Sequence, residues 1–156
     1  VNWVEAVIRA TETAVDDLFR YARAMPPEWL EWQPGGKART ALSQLRECAG
    51  LPALLEIHLR ERPREPLSQE VVDSVWAEAK KCRTIEECES LCRRNTDRLI
   101  QALRETDFSD PDAKVMMPWG KEFTLFDLAY DHYWNLTYHL GQIGFLQLLQ
   151  GDDQYH

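Results

Sequence analysis

The chain has 156 residues, 44% of them hydrophobic and six of them Trp, enough for one globular domain with a core that needs no staples. Its net charge of -8 excludes nucleic-acid binding by phosphate neutralisation, which requires a concentrated basic face. No run approaches the ~18 apolar residues of a membrane span, and the opening VNWVEAVIRA carries Glu5 and Arg9 where a signal peptide is apolar, so a cytoplasmic protein is expected.

The first segment opens with Asn2 and Glu5 in the pattern of a capping box. Its stripe Val4, Ile8, Thr11, Val15, Leu18, Ala22, Met25 predicts a helix that Pro26-Pro27 ends. One short turn is expected over 28–32, then a loop at Gln33-Pro34-Gly35-Gly36. Thr40 should cap a second helix reaching about His58, with a kink where the Pro52 ring crowds the carbonyl of Cys48.

Ser68 caps a shorter helix through Trp76 and Ala79, and Thr84 with Glu87 forms a capping box for a helix to about Arg104. The stretch TDFSDPDAKVMMPWGKEF is too long and too rich in Pro, Asp and Gly for a tight turn, and Val115-Met116-Met117 should tuck onto the body. Thr124 caps a last helix to Gln150, stopped by Gly151. With no alternation that predicts a sheet, the expectation is an all-α four-helix bundle over 1–156, with a long connection and one extra short helix.

The four cysteines lie in helical neighbourhoods. Cys88 and Cys92 are placed to chelate zinc from one face, but they also continue an apolar series, and buried free Cys behaves as a small hydrophobe. GGKART echoes a phosphate loop, yet Ala38 follows Lys37 and no strand precedes it. Lys37 and Arg39 therefore read as surface charge near a helix N-terminus.

The last helix holds the anomaly. Its core stripe from Leu128 runs through His132, Asn135 and His139 to Ile143 and Leu146. Burying unpaired imidazoles and amides costs roughly 1–3 kcal/mol each, so they need one another, water or a ligand. A hydrogen-bonded layer fixing register is one reading, and a ligand or metal site in the bundle core is the other. His132 and His139 stand roughly 10 Å apart along the axis, awkward for one metal, whereas Asn135 and His139 are adjacent. Glu47 is the natural anionic partner from the second helix, unless it is an exposed carboxylate beside Arg46. His58, three turns beyond, falls near the helix end.

With Thr40-x6-Glu47 in the second helix and NLTYHLGQI in the last, the sequence resembles the DinB-like superfamily of small four-helix-bundle proteins. The similarity extends to GGKARTALSQLRE, PWGKEFTLFDL and WNLTYHLGQIGFLQLLQGD, and the His-x-Gly-Gln ending of the last helix is its most specific part. The resemblance implies a divalent metal, zinc or nickel, held by one His on the second helix and two His four apart on the last. These positions fall on Glu47, Asn135 and His139, and only the last is kept. Glu is a competent ligand and a neutral amide a weak one. Asp131 and His132 border the site, each able to lend a ligand or to hydrogen-bond one from behind.

The resemblance further implies a metal-dependent enzyme, a transferase joining a low-molecular-weight thiol such as bacillithiol or mycothiol to a small electrophile, with the metal lowering the thiol pKa. The alternatives are a non-catalytic, stress-associated small-ligand-binding protein with a degenerate metal site, and a structural dimer with a polar layer. A homodimer is expected in any case, because six Trp exceed what one small core readily encloses. Replacing Asn135 and His139 together by Leu is expected to raise the stability of metal-free protein.

Overall fold

The computed structural model describes residues 2–156. Five helices follow in order: α1 (Trp3–Ala24), α2 (Ala41–Glu61), α3 (Gln69–Lys81), α4 (Ile85–Glu105) and α5 (Leu125–Leu149). A two-stranded antiparallel hairpin, β1 (Lys114–Met116) with β2 (Glu122–Thr124), lies between α4 and α5. The fold is all-α in class. α1 packs on α4 and α5, α2 packs on the same two, and α3 lies along the outside of α2. Among the described residues, no helix is long and apolar enough to cross a membrane.

Local chemistry sets the helix bounds. Thr40, Ser68, Thr84 and Thr124 each accept a backbone N–H at the start of the helix that follows. Thr84 with Glu87 closes a full capping box, and Thr124 does the same with Asp127. The box expected at Asn2 and Glu5 is not formed. Asn2 accepts from Val4 N instead, while Glu5 reaches across to pair with Arg104 of α4. The whole stripe from Val4 to Met25 is buried.

Pro52 shapes the centre of the bundle. It lies inside α2 and has no N–H, which deprives the Cys48 carbonyl of its helical donor. Cys92 Sγ of α4 fills the gap, donating to Cys48 O at 3.4 Å, and Asn95 Nδ2 donates to the neighbouring Ala49 O at 2.9 Å. All four cysteines are free and buried. Burial pushes the Cys88 and Cys92 thiols up to about 12, and both side chains pack within the apolar core cluster.

The hairpin corrects the expectation of no sheet. Each strand has three residues, too short for alternation to be visible. Its turn is closed by Gly120, whose φ of +77° suits glycine, and by the bond from Met117 N to Lys121 O at 2.9 Å. Val115 and Met117 are buried as expected, and Met116 N donates to Pro63 O at 2.8 Å, fastening the hairpin beside the end of α2. Trp119 and Phe123 thereby come to stand over α2 and α5, ring edge to ring face at 5.6 Å.

Candidate functional site

Gln44 and Glu47, three apart on α2, face Asn135 and His139, four apart on α5. Asn135 Nδ2 donates to Glu47 Oε1 at 2.9 Å, and His139 Nε2 lies 3.1 Å from the same oxygen. His139 Nδ1 lies 2.8 Å from Gln44 Oε1, and Gln44 Nε2 points back to the carbonyl of Arg39. Arg39, just before the helix, donates its guanidinium to Glu47 Oε2 and to Ser43 O. Gln44, Asn135 and His139 are buried, and the Glu47 side chain is 33% exposed.

The carboxylate is the hub of this network. The hydrogen bond from His139 is the largest influence on Glu47; with those from Arg39 and Asn135 it outweighs burial and holds the carboxyl down at about 2. Asp131, one turn before Asn135, behaves oppositely. Burial, then the charges of Asp127 and Glu47, push its carboxyl up to about 6. His132 does not join the site. It turns toward α4, with Nε2 2.9 Å from Thr96 Oγ1 and Nδ1 without a partner, and burial presses its pKa down to about 3.

The donor chemistry does not fit a divalent metal. Glu47 has Arg39 on one oxygen and two donors on the other. Asn135 presents its N–H₂ to Glu47, while Oδ1, its only ligating atom, is buried without a partner. Gln44 Oε1 faces His139 Nδ1 and the Glu47 carboxylate faces Nε2, so both ring nitrogens are already engaged by acceptor oxygens. Among the described residues, no three His, Cys, Asp or Glu side chains gather as a metal set. Arg39 is surface charge near the start of α2, as its loop position suggested, with its side chain 43% exposed, and it also pairs with Glu47.

Beside the network opens a cleft of about 650 Å³. Trp76 of α3, Trp119 and Phe123 of the hairpin and Trp134 of α5 form its walls; Arg46, Lys80 and Asp131 supply charge, and Arg39, Glu47 and Asn135 lie at its base. Arg46 anchors α3 here by donating Nε and Nη2 to the carbonyl of Cys82. Gly50 lets Trp76 lie flat on α2: a Cβ there would collide with the indole ring and come within 3.2 Å of Ala79 Cβ. Gly50→Ala should therefore displace Trp76 and cost about 1–3 kcal/mol despite the better helix propensity of Ala, measurable by urea unfolding and indole fluorescence.

Sequence reasoning missed Gln44, Arg39 and the aromatic walls. Gln44 had a signal, since it is a polar residue between Leu42 and Leu45, three before Glu47. The walls had none, because Trp76, Trp119 and Trp134 come from three elements that only the fold brings together.

No protein-family description matches the sequence, and no curated protein matches it. Among solved structures the chain is similar to the mycothiol-dependent maleylpyruvate isomerase, with a TM-score of 0.69 and 14% identity over 90% of this chain and 60% of that one. A histidine-to-alanine mutant of that isomerase superposes with a TM-score of 0.65, at the same identity and coverage. The chain thus spans about 60% of the length of the structures it matches. At this identity the likeness concerns the fold, which is DinB-like.

Proposed function

We propose that this DinB-like domain binds a small organic molecule in the cleft between α2, α3, α5 and the hairpin, and that Arg39 takes the place of the metal ion that the resemblance implies. The observation that carries this reading is the closed network around Glu47, in which Arg39, Asn135 and His139 satisfy the carboxylate at the foot of an aromatic cleft. Three indoles and a phenyl ring suit a flat, conjugated body. Arg46 and Lys80 favour an anionic group at its end, although the protein as a whole is acidic.

Anilinonaphthalene sulfonate, an aromatic anion, is a direct probe. Fluorescence titration should give a dissociation constant on the order of 10 µM, weakened about tenfold by Trp76→Ala or by Trp119→Ala. In the same preparation, zinc and nickel should leave the thermal midpoint unchanged. A metal-induced rise that depends on Glu47 would overturn the proposal, as would dye binding indifferent to both Trp replacements.

A catalytic reading is favoured by one feature, the Asp131 carboxyl, which is able to exchange a proton near neutrality in the cleft wall. The isomerase whose fold this chain shares is mycothiol-dependent, so the corresponding chemistry is thiol addition to a small electrophile. Its mark is enzyme-dependent consumption of a low-molecular-weight thiol with an activated alkene, abolished by Asp131→Asn. Without that turnover, the binding reading stands alone.

A further inference from the structure

The cleft beside Glu47 is polar in a directed way. Its floor is one face of α2, where Arg39, Ser43, Arg46, Glu47 and Leu51 recur at steps of three and four, and α3 and α5 both pack on that helix as walls. Glu47 is paired with Arg39. Among the described residues, three charged groups of the cleft have no ionic partner: Arg46 and Lys80 on the α3 side, and Asp131 on α5. Arg46 commits Nε and Nη2 to the carbonyl of Cys82, and Lys80 is exposed. Asp131 is the least satisfied of the three. Burial and the charges of Asp127 and Glu47 raise its pKa, with no hydrogen bond and no cation opposing them.

Contacts fix the height of each group along α2. Asn135 reaches Glu47 and His139 reaches Gln44, so α5 runs antiparallel to α2 and Asp131, one turn before Asn135, stands level with Leu51. Trp76 lies on Gly50 and the Cys82 carbonyl on Arg46, so Lys80 stands between them, level with Glu47. The cations and the unpaired carboxyl are therefore offset by about 6 Å, one helical turn, and lie on opposite walls. Trp76 and Trp134 line the same stretch of those walls, and Trp119 and Trp134 leave 55% and 49% of their surfaces uncovered.

We infer that the ligand of this cleft is an aromatic zwitterion, with an acid group held by Arg46 and Lys80 and an ammonium group at the far end of the ring held by Asp131. The inference rests on the reading of the cleft as a site for a flat organic molecule, and it names the class of that molecule. An ammonium group gives the half-buried carboxyl the partner that the protein withholds, and such a pair is stronger out of bulk water than in it. The offset selects the spacing. An α-amino acid carries both charges on one carbon and reaches one wall only, whereas a ring substituted at opposite ends spans both.

Three ring compounds of one shape test this by isothermal calorimetry at pH 7.5: 4-(aminomethyl)benzoate, 4-ethylbenzoate, which lacks the nitrogen, and 4-methylbenzylamine, which lacks the acid. The zwitterion should bind about tenfold tighter than either, the gain of one charge-assisted contact. Asp131→Asn should abolish its advantage over 4-ethylbenzoate, and Lys80→Met should weaken both acids severalfold while sparing the amine. Equal affinities of the two acids overturn the inference, as does a preference that survives Asp131→Asn, or a zwitterion that fails to bind at millimolar concentration. Titration with anilinonaphthalene sulfonate in the same preparation separates the two levels. Dye binding that depends on Trp76 and Trp119 alongside any of those outcomes removes the zwitterion alone, and dye binding indifferent to both removes the cleft as a site and the zwitterion with it.

Discussion

Between pH 8 and pH 4, the unfolding free energy of a His132→Leu variant should shift by about 3 kcal/mol in its favour relative to wild type. The imidazole is fully buried between α4 and α5, and burial lowers its pKa from 6.5 to about 3. The folded state therefore resists the proton that the unfolded chain takes up readily. A base with a lowered folded pKa contributes its full stability above about 6.5 and loses it as pH falls toward 3, at ~1.4 kcal/mol per pH unit.

Near pH 8 the replacement should be close to neutral. It removes the bond to Thr96 but also removes a buried ring nitrogen that has no partner. His58, whose pKa burial also lowers, acts in the same window but is present in both proteins. Glu47 does not interfere until pH falls below about 4.5. Urea unfolding at several pH values checks the result, and parallel stability curves for the two proteins would contradict it.

The second large effect reverses an expectation drawn from the sequence. Replacing Asn135 and His139 together by Leu should destabilise the protein by about 2–4 kcal/mol at pH 7, rather than stabilise it. Read as a metal site awaiting an ion, the polar pair looked dispensable. In the structure, its loss strips Glu47 Oε1 of both donors and leaves buried Gln44 Oε1 facing a hydrocarbon. The upper figure for breaking a buried ion pair is discounted because Glu47 is one-third exposed and water can reach it.

The cost should shrink as pH falls from about 4.5 toward 2, where a carboxylate with a depressed folded pKa loses its advantage in wild type. Adding Gln44→Leu and Glu47→Gln to the double variant should recover part of the loss, since the stranded acceptors are then gone. A double variant as stable as wild type at pH 7 would mean that the network contributes nothing and that water satisfies these groups equally well.

Much of this architecture is written locally. Thr40, Ser68, Thr84 and Thr124 mark four helix starts because a hydroxyl satisfies orphan N–H groups within three residues of itself. The stripe of α1 and the place of Pro52 are legible for the same reason, as period and ring sterics act over one or two turns. The polar run His132, Asn135, His139 was visible as an anomaly in an apolar stripe. Its division into two unrelated environments was not. His132 and Asn135 differ by less than one turn, yet one faces Thr96 on α4 and the other Glu47 on α2, and that choice belongs to the crossing of three helices.

The sequence by itself determined the helices, their caps, the burial of the cysteines and the pairing of Glu47 with the last helix as a hypothesis. Each rests on spacing along a single element or on the motif resemblance. Only the tertiary structure decided that Arg39 sits on Glu47, that Gln44 and Glu47 flank the two ring nitrogens of His139, that three Trp residues from separate elements wall one cleft, and that one side of α5 stays bare. These depend on distances between side chains remote in sequence, and a guanidinium in a loop satisfies water as well as a carboxylate until folding brings that carboxylate within reach.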